Sequence, residues 1–214
     1  MVKKLDIKHY GIDERGTCRI GPSQYWFVRK TQGINGCGPT TAAQVTQYLA
    51  SAFPDTCAAL YAHPQPPVKD EIISHMSAVR QHVRPGLMGL TDHKYFMQAV
   101  VDFAKSRGVS LRSQNISASH SAGVAYGFIR RTIDQGYMPA LMILRNPHRE
   151  IDDFTWHWMA VTGYDEVAGT IFISTYAKEY ELDFGHVWHQ TGPYRANCVY
   201  FFPQAHDPSA TKNL

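Results

Sequence analysis

Gln32-Gly33-Ile34-Asn35-Gly36-Cys37-Gly38-Pro39-Thr40-Thr41-Ala42-Ala43 decides how this chain of 214 residues is read. Pro39 suits the first turn of a helix, where a missing N–H costs nothing. Ala42, Val45, Leu49 and Ala52 then mark one apolar face, and Pro54 stops the run. The spacing predicts a helix that opens at Cys37 behind a glycine-rich approach. Unpaired N–H groups and the positive end of the helix dipole at that position favour a thiolate over a thiol. Gly36 and Gly38 let a ligand's backbone come close. Gln32 is placed to set a side-chain amide beside the sulfur and donate to a developing oxyanion.

Outward from this block, helices are expected over about 68–83, 92–107 and 121–135, with Ile72, Met76, Val79, Phe96, Val100, Phe103, Val124, Phe128 and Ile133 inward. From residue 140 the texture changes. Ala140–Leu144, His157–Tyr164, Thr170–Tyr176, Tyr180–Phe184 and Asn197–Phe202 are short, rich in β-branched and aromatic residues, and separated by turn signals. Helices first and strands afterwards give an α+β fold with an antiparallel C-terminal sheet. One domain over 1–214 is expected, with a strand and loop segment over 1–30 and a mainly helical lobe over 31–136. A β-sheet lobe over 137–205 and a flexible tail over 206–214 complete it.

Composition excludes several classes. Twenty-one Lys and Arg against 18 Asp and Glu give a net charge of +3, and the sequence has no Lys/Arg cluster of the kind that neutralises phosphates, so no nucleic-acid partner is expected. The longest aliphatic run, Ala140–Leu144, is far short of a bilayer span. Met1-Val-Lys-Lys-Leu has no apolar stretch behind its lysines, so no secretory signal is read and a cytoplasmic location is expected, without a membrane partner. Cys18, Cys37, Cys57 and Cys198 form no C-x-x-C pair and read as free thiols, which disfavours a redox protein.

A thiolate nucleophile needs a histidine, and sequence distance does not constrain where it lies. Of eleven histidines, His157 in Trp156-His157-Trp158-Met159-Ala160-Val161 opens an otherwise apolar strand, where a polar ring needs a partner or a role. Trp156 and Trp158 read most simply as core packing. A third group should hold the imidazole tautomer. In a regular hairpin, Ser174 and Thr175 lie level with the start of the His157 strand, and Ser174 is the residue selected. Asp165 and Asp183 are the carboxylates able to replace it from other strands. His63, His75, His82, His93, His120 and His148 read as solvated or helix-surface residues. His186-Val-Trp-His189 offers two metal ligands at helical spacing without a third or fourth nearby, so neither metal nor cofactor is expected.

The Gln-(four residues)-Cys-Gly-Pro-Thr block and the later Trp-His-Trp-Met-Ala-Val-Thr-Gly-Tyr-Asp strand together resemble papain-like cysteine peptidases. The branch they resemble most is that of the bacterial, bacteriocin leader-processing (double-glycine) peptidases. The resemblance implies a papain-like fold, with Cys37 as nucleophile, Gln32 as oxyanion donor and His157 as general base. It departs from the family at the orienting position, where Ser174-Thr175-Tyr176-Ala177 stands in place of an Asn or Asp motif. The step from Gln32 to Cys37 is also one residue shorter than in papain itself.

These residues imply a thiol hydrolase that cleaves a peptide or related amide bond through a Cys37 thioester, with a peptide or protein as substrate. The alternative is a catalytically silent papain-like module that binds a peptide or protein partner. Substrate, oligomeric state and the third catalytic residue stay open at the level of sequence.

Overall fold

The computed structural model describes residues 1–189 and 195–206. The tail expected over 206–214 lies, but for residue 206, outside them. Helix α1 (Lys30–Ile34) leads through Asn35 and Gly36 into α2 (Cys37–Ala52), which ends before α3 (Pro54–Cys57). α2 is buried all round from Cys37 to Ala50, so it is a central helix rather than a surface one. α4 (Lys69–Arg80), α5 (His93–Ser106) and α6 (Ala122–Asp134) follow, and α7 (Phe184–Val187) is a single late turn. Asp92 caps α5 by accepting from the N–H groups of Lys94 and Tyr95, and Ser121 caps α6 through Val124 N–H.

The strands are β1 (Val2–Lys4), β2 (Gly11–Glu14), β3 (Thr17–Ile20), β4 (Leu111–Ser117), β5 (Ala140–Ile143), β6 (His157–Asp165), β7 (Thr170–Thr175), β8 (Lys178–Asp183) and β9 (Ala196–Pro203). β2 and β3 form a separate hairpin. The main sheet has the order β4-β9-β5-β6-β7-β8, with β1 paired to the far end of β6, and its named pairings are antiparallel. α2 packs on β5 and β6 on one side and on α4 and α5 on the other, so the helix headed by Cys37 lies between helices and sheet. The architecture is α+β. Among the described residues no helix is long and apolar enough to cross a membrane.

The division between a helical stretch and a sheet stretch is looser than the sequence suggests. β4 comes from within residues 31–136 and pairs with β9 over seven positions, Leu111↔Pro203 to Ser117↔Asn197. β1 comes from the first segment and docks on β6 through Val2↔Asp165. His75, expected at a helix surface, is instead buried on the inner face of α4, where its Nε2 meets Thr46 Oγ1 at 2.9 Å. Trp158 is buried against Phe96, with ring centroids 4.0 Å apart, whereas Trp156 is about half exposed rather than in the core.

One irregularity positions the site. Asp165 pairs with Thr170, and Gly163 with Phe172, but Val161 pairs with Ile173 and Ala160 with Ser174. Thr162 is therefore an extra residue on β6. Its carbonyl accepts from Leu5 N–H, and its hydroxyl donates to Glu179. A bulge of one residue moves every later side chain of the pairing to the opposite face.

Candidate active site

Cys37 is the first residue of α2, and its approach is braced from three directions. Gln24 donates its side-chain amide to Gly33 O at 2.8 Å. Arg80, reaching from α4, donates to Asn35 Oδ1 at 3.2 Å and to Gln32 O at 3.5 Å. Asn35 Nδ2 donates to Gly86 O at 3.0 Å. Gly36 is required by close approach, since a Cβ there would stand 2.5 Å from Gln32 O. Gln32 itself is half-buried, and among the described residues its side-chain amide makes no hydrogen bond. Gln24 and Arg80 hold the segment before Cys37 from outside it, which is why local sequence patterns do not reveal them.

The Cys37 sulfur lies against the main chain on both sides of His157. Cys37 Sγ donates to Trp156 O at 3.9 Å, and the main-chain N–H groups of Trp158, Gly38 and Cys37 favour negative charge on it. His157 is buried, and its Nε2 is 2.7 Å from Thr175 Oγ1. The imidazole also stacks on Tyr176, with centroids 4.8 Å apart and planes at 16°, and Tyr176 stacks in turn on the exposed Tyr25 at 5.7 Å. Trp156, Tyr176 and Ala177 all adopt the left-handed region, with φ of 51°, 53° and 61°. Such conformations cost of order 1–3 kcal/mol each in non-glycine residues, and here they bracket the His157–Thr175 contact at both ends.

The hydroxyl beside His157 belongs to Thr175, not to the expected Ser174. An unbroken hairpin counted from Asp165↔Thr170 would set Val161 opposite Ser174 and so put Ser174 on the His157 face. The bulge at Thr162 shifts that pairing by one residue and exchanges the two hydroxyls. Ser174 is committed to the other face, where it accepts from Gln44 Nε2 and donates to Ile20 O, both at 2.8 Å. Gly21, at φ +71°, closes over it so tightly that a Cβ would stand 2.2 Å from Ser174 Oγ. Asp165 accepts from Val167 N–H and Asp183 caps α7, so both serve turns rather than the imidazole.

Ser174→Asn is accordingly expected to destabilise the fold by about 2–4 kcal/mol, through overpacking and the loss of two buried hydrogen bonds. Urea unfolding reads this as a lower midpoint at unchanged m. An unchanged midpoint would show that the pocket under Gly21 has room to spare.

Electrostatics depart from the expectation drawn from the helix N-terminus. Burial pushes the Cys37 thiol up, and the nearby main-chain N–H groups only partly offset it. Burial also pushes His157 down to about 4. Near neutral pH the resting pair is therefore a thiol and a neutral imidazole. The helix dipole is worth a fraction of a kcal/mol to about 2 kcal/mol, less than full desolvation of a thiolate at a site only 6% exposed.

Compared with protein-family profiles and with curated proteins, the sequence finds no match in either. Among solved structures it is similar to the Pseudomonas avirulence protein AvrPphB, with a TM-score of 0.39 and 13% sequence identity over 81% of this chain and 95% of that one.

Proposed function

We propose that this protein is a papain-like thiol hydrolase that cleaves a peptide or related amide bond, with Cys37 as nucleophile, His157 as general base and Thr175 as the residue positioning the base. The observation that carries this reading is the Nε2–Thr175 contact at 2.7 Å on a histidine whose flanking main chain touches the Cys37 sulfur. In the tautomer where Nε2–H donates to Thr175, the Nδ1 lone pair is free to take a proton.

The chemistry follows from a neutral pair. With a carbonyl seated at the head of α2, His157 Nδ1 takes the Sγ proton as the sulfur attacks the carbonyl carbon. The Cys37 N–H and the uncommitted Gln32 amide stabilise the oxyanion. The C–N bond breaks as the leaving amine takes the proton from His157, which leaves a thioester on Sγ. Water, deprotonated by His157, then attacks the thioester carbon; a carboxylic acid leaves and the thiol is restored. Tyr25, Ile34, Leu87, Met88 and Trp156 are exposed apolar residues on the segments around this point. They favour an apolar, extended peptide as the substrate.

The test is covalent capture with an apolar peptidyl vinyl sulfone, read by peptide mass spectrometry alongside a small alkylating agent. The expected result is that the peptidyl probe labels Cys37 and that His157→Ala abolishes this labelling. The small reagent labels the exposed Cys18 first, because the resting Cys37 is a buried thiol. If the peptidyl probe prefers Cys18, or labels Cys37 equally fast without His157, the silent binding module replaces the hydrolase.

A further inference from the structure

The chain between β5 and β6 crosses to α7 and returns to His157 through a 3-10 turn over Arg149–Phe154. Asn146 fixes the two segments together. Its Nδ2 donates to His186 O at 2.7 Å and to Val187 O at 3.4 Å, and its Oδ1 accepts from His148 N–H at 2.9 Å. This holds the His148 and His186 rings face to face, with centroids 4.2 Å apart and planes at 17°. Glu150 Oε1 lies 2.6 Å from His186 Nδ1 and 3.9 Å from His148 Nδ1. One ligand atom from each of the three residues falls within 4.8 Å of the others. The His189 ring stands 5.2 Å from that of His148. The pair His186-x-x-His189 that looked incomplete in the sequence thus acquires its remaining ligands from the loop that precedes His157.

We propose that His148, Glu150 and His186 form a binding site for a zinc-class divalent cation, with His189 or a water as the fourth ligand. Two imidazole nitrogens and one carboxylate oxygen are a zinc donor set, and imidazole selects against calcium and magnesium. Metal–ligand bonds of about 2.0–2.1 Å in a tetrahedron require ligand atoms roughly 3.3 Å apart. The separations of 2.6 and 3.9 Å bracket that value and all three ligand atoms fall within 4.8 Å, so the site closes when the stacked imidazoles rotate to aim both nitrogens at one point while Asn146 keeps the main chain in place. The three side chains are partly exposed, which leaves the ion a path from solvent. A bound ion would tie the loop that ends at Trp156 and His157 to α7.

The site is tested by titrating the untagged full chain with Co2+, followed by displacement with Zn2+. One equivalent is expected, giving visible bands of tetrahedral intensity without the charge-transfer band of a thiolate ligand. His148→Ala and His186→Ala should each weaken binding at least tenfold, and Glu150→Gln should do so with the least disturbance of the fold. His63→Ala should leave it unchanged. Zinc at a hundredfold excess over its dissociation constant should raise the Tm by about 5–10 °C. Absence of saturable binding, equal competition by Mg2+, or an unchanged titration in Glu150→Gln and the His148→Ala/His186→Ala pair would overturn the proposal.

Discussion

His157→Ala is expected to lower kcat/KM for amide cleavage by about 1,000-fold or more, within the range contributed by a positioned general base. The effect should be larger than in an enzyme with a preformed ion pair. There the thiolate persists without the base, whereas here burial holds the sulfur as a thiol. Thr175→Val should retain the base but release its orientation. Nε2 would be left without a partner in a buried site, and a loss of about 10–100-fold in kcat at steady KM is expected. Thr175→Asn, which restores an acceptor at the same place, should recover part of it. The pH profile supplies a second reading. His157 acts as a base only when neutral, so the acid limb of kcat/KM per folded molecule should have its midpoint near pH 4 rather than near 6.5. A limb near 6.5, or full activity in His157→Ala, would remove His157 from the role of base.

The second large effect is on stability. His157 and His75 are both buried as neutral rings, with pKa values lowered by burial to about 4 and about 3. In the unfolded chain each titrates near 6.5. Below pH 6.5 the unfolded state therefore binds more protons than the folded one, and stability falls as the pH falls. The contribution is fully present above pH 6.5 and is lost as pH descends toward 4 for His157 and toward 3 for His75. At 1.36 kcal/mol per pKa unit the losses are about 3 kcal/mol and about 5 kcal/mol, comparable in sum with the whole stability of a typical domain. Urea midpoints should decline steeply between pH 6.5 and 4.5. This window lies above the range of Glu14, paired with Lys69 and Arg19, and of Asp134, paired with Lys3, whose depressed carboxyls matter only in stronger acid. His75→Gln, which keeps a donor for Thr46, should flatten the decline by about one proton. A slope indifferent to both histidines would refute this account.

Some of this was legible in the sequence, and the reasons differ residue by residue. The helix at Cys37–Ala52 is written in local signals, a first-turn Pro39, an apolar stripe and Pro54 beyond the end, and local signals survive tertiary context. His157 stood out because a polar ring heads an apolar strand. Ser174 and Thr175 both lie level with the start of the His157 strand in the sequence, and nothing local tells which one faces the ring, because the extra Thr162 leaves no mark in composition. β4 is not legible in the sequence because Leu-Arg-Ser-Gln-Asn-Ile-Ser is an edge strand, with only Leu111 and Ile116 buried, and so lacks regular apolar alternation. The thiol's raised pKa was unreadable for another reason. The helix end is a local property, whereas the burial that outweighs it depends on where the sheet packs. The His148, Glu150 and His186 cluster likewise exists only after β5, β6 and α7 have docked.

β9 runs through the sheet between β4 and β5, although it is the last strand in chain order. During synthesis, Cys37 and His157 both emerge before residues 196–203 do. Until they arrive, β4 has no partner in the sheet, whereas α2 already packs on β5 and β6, and β6 already pairs with β7. The contact between the head of α2 and the start of β6 therefore does not wait for β9. A chain cut before residue 196 should lose the β4 edge of the sheet first and the neighbourhood of Cys37 and His157 last.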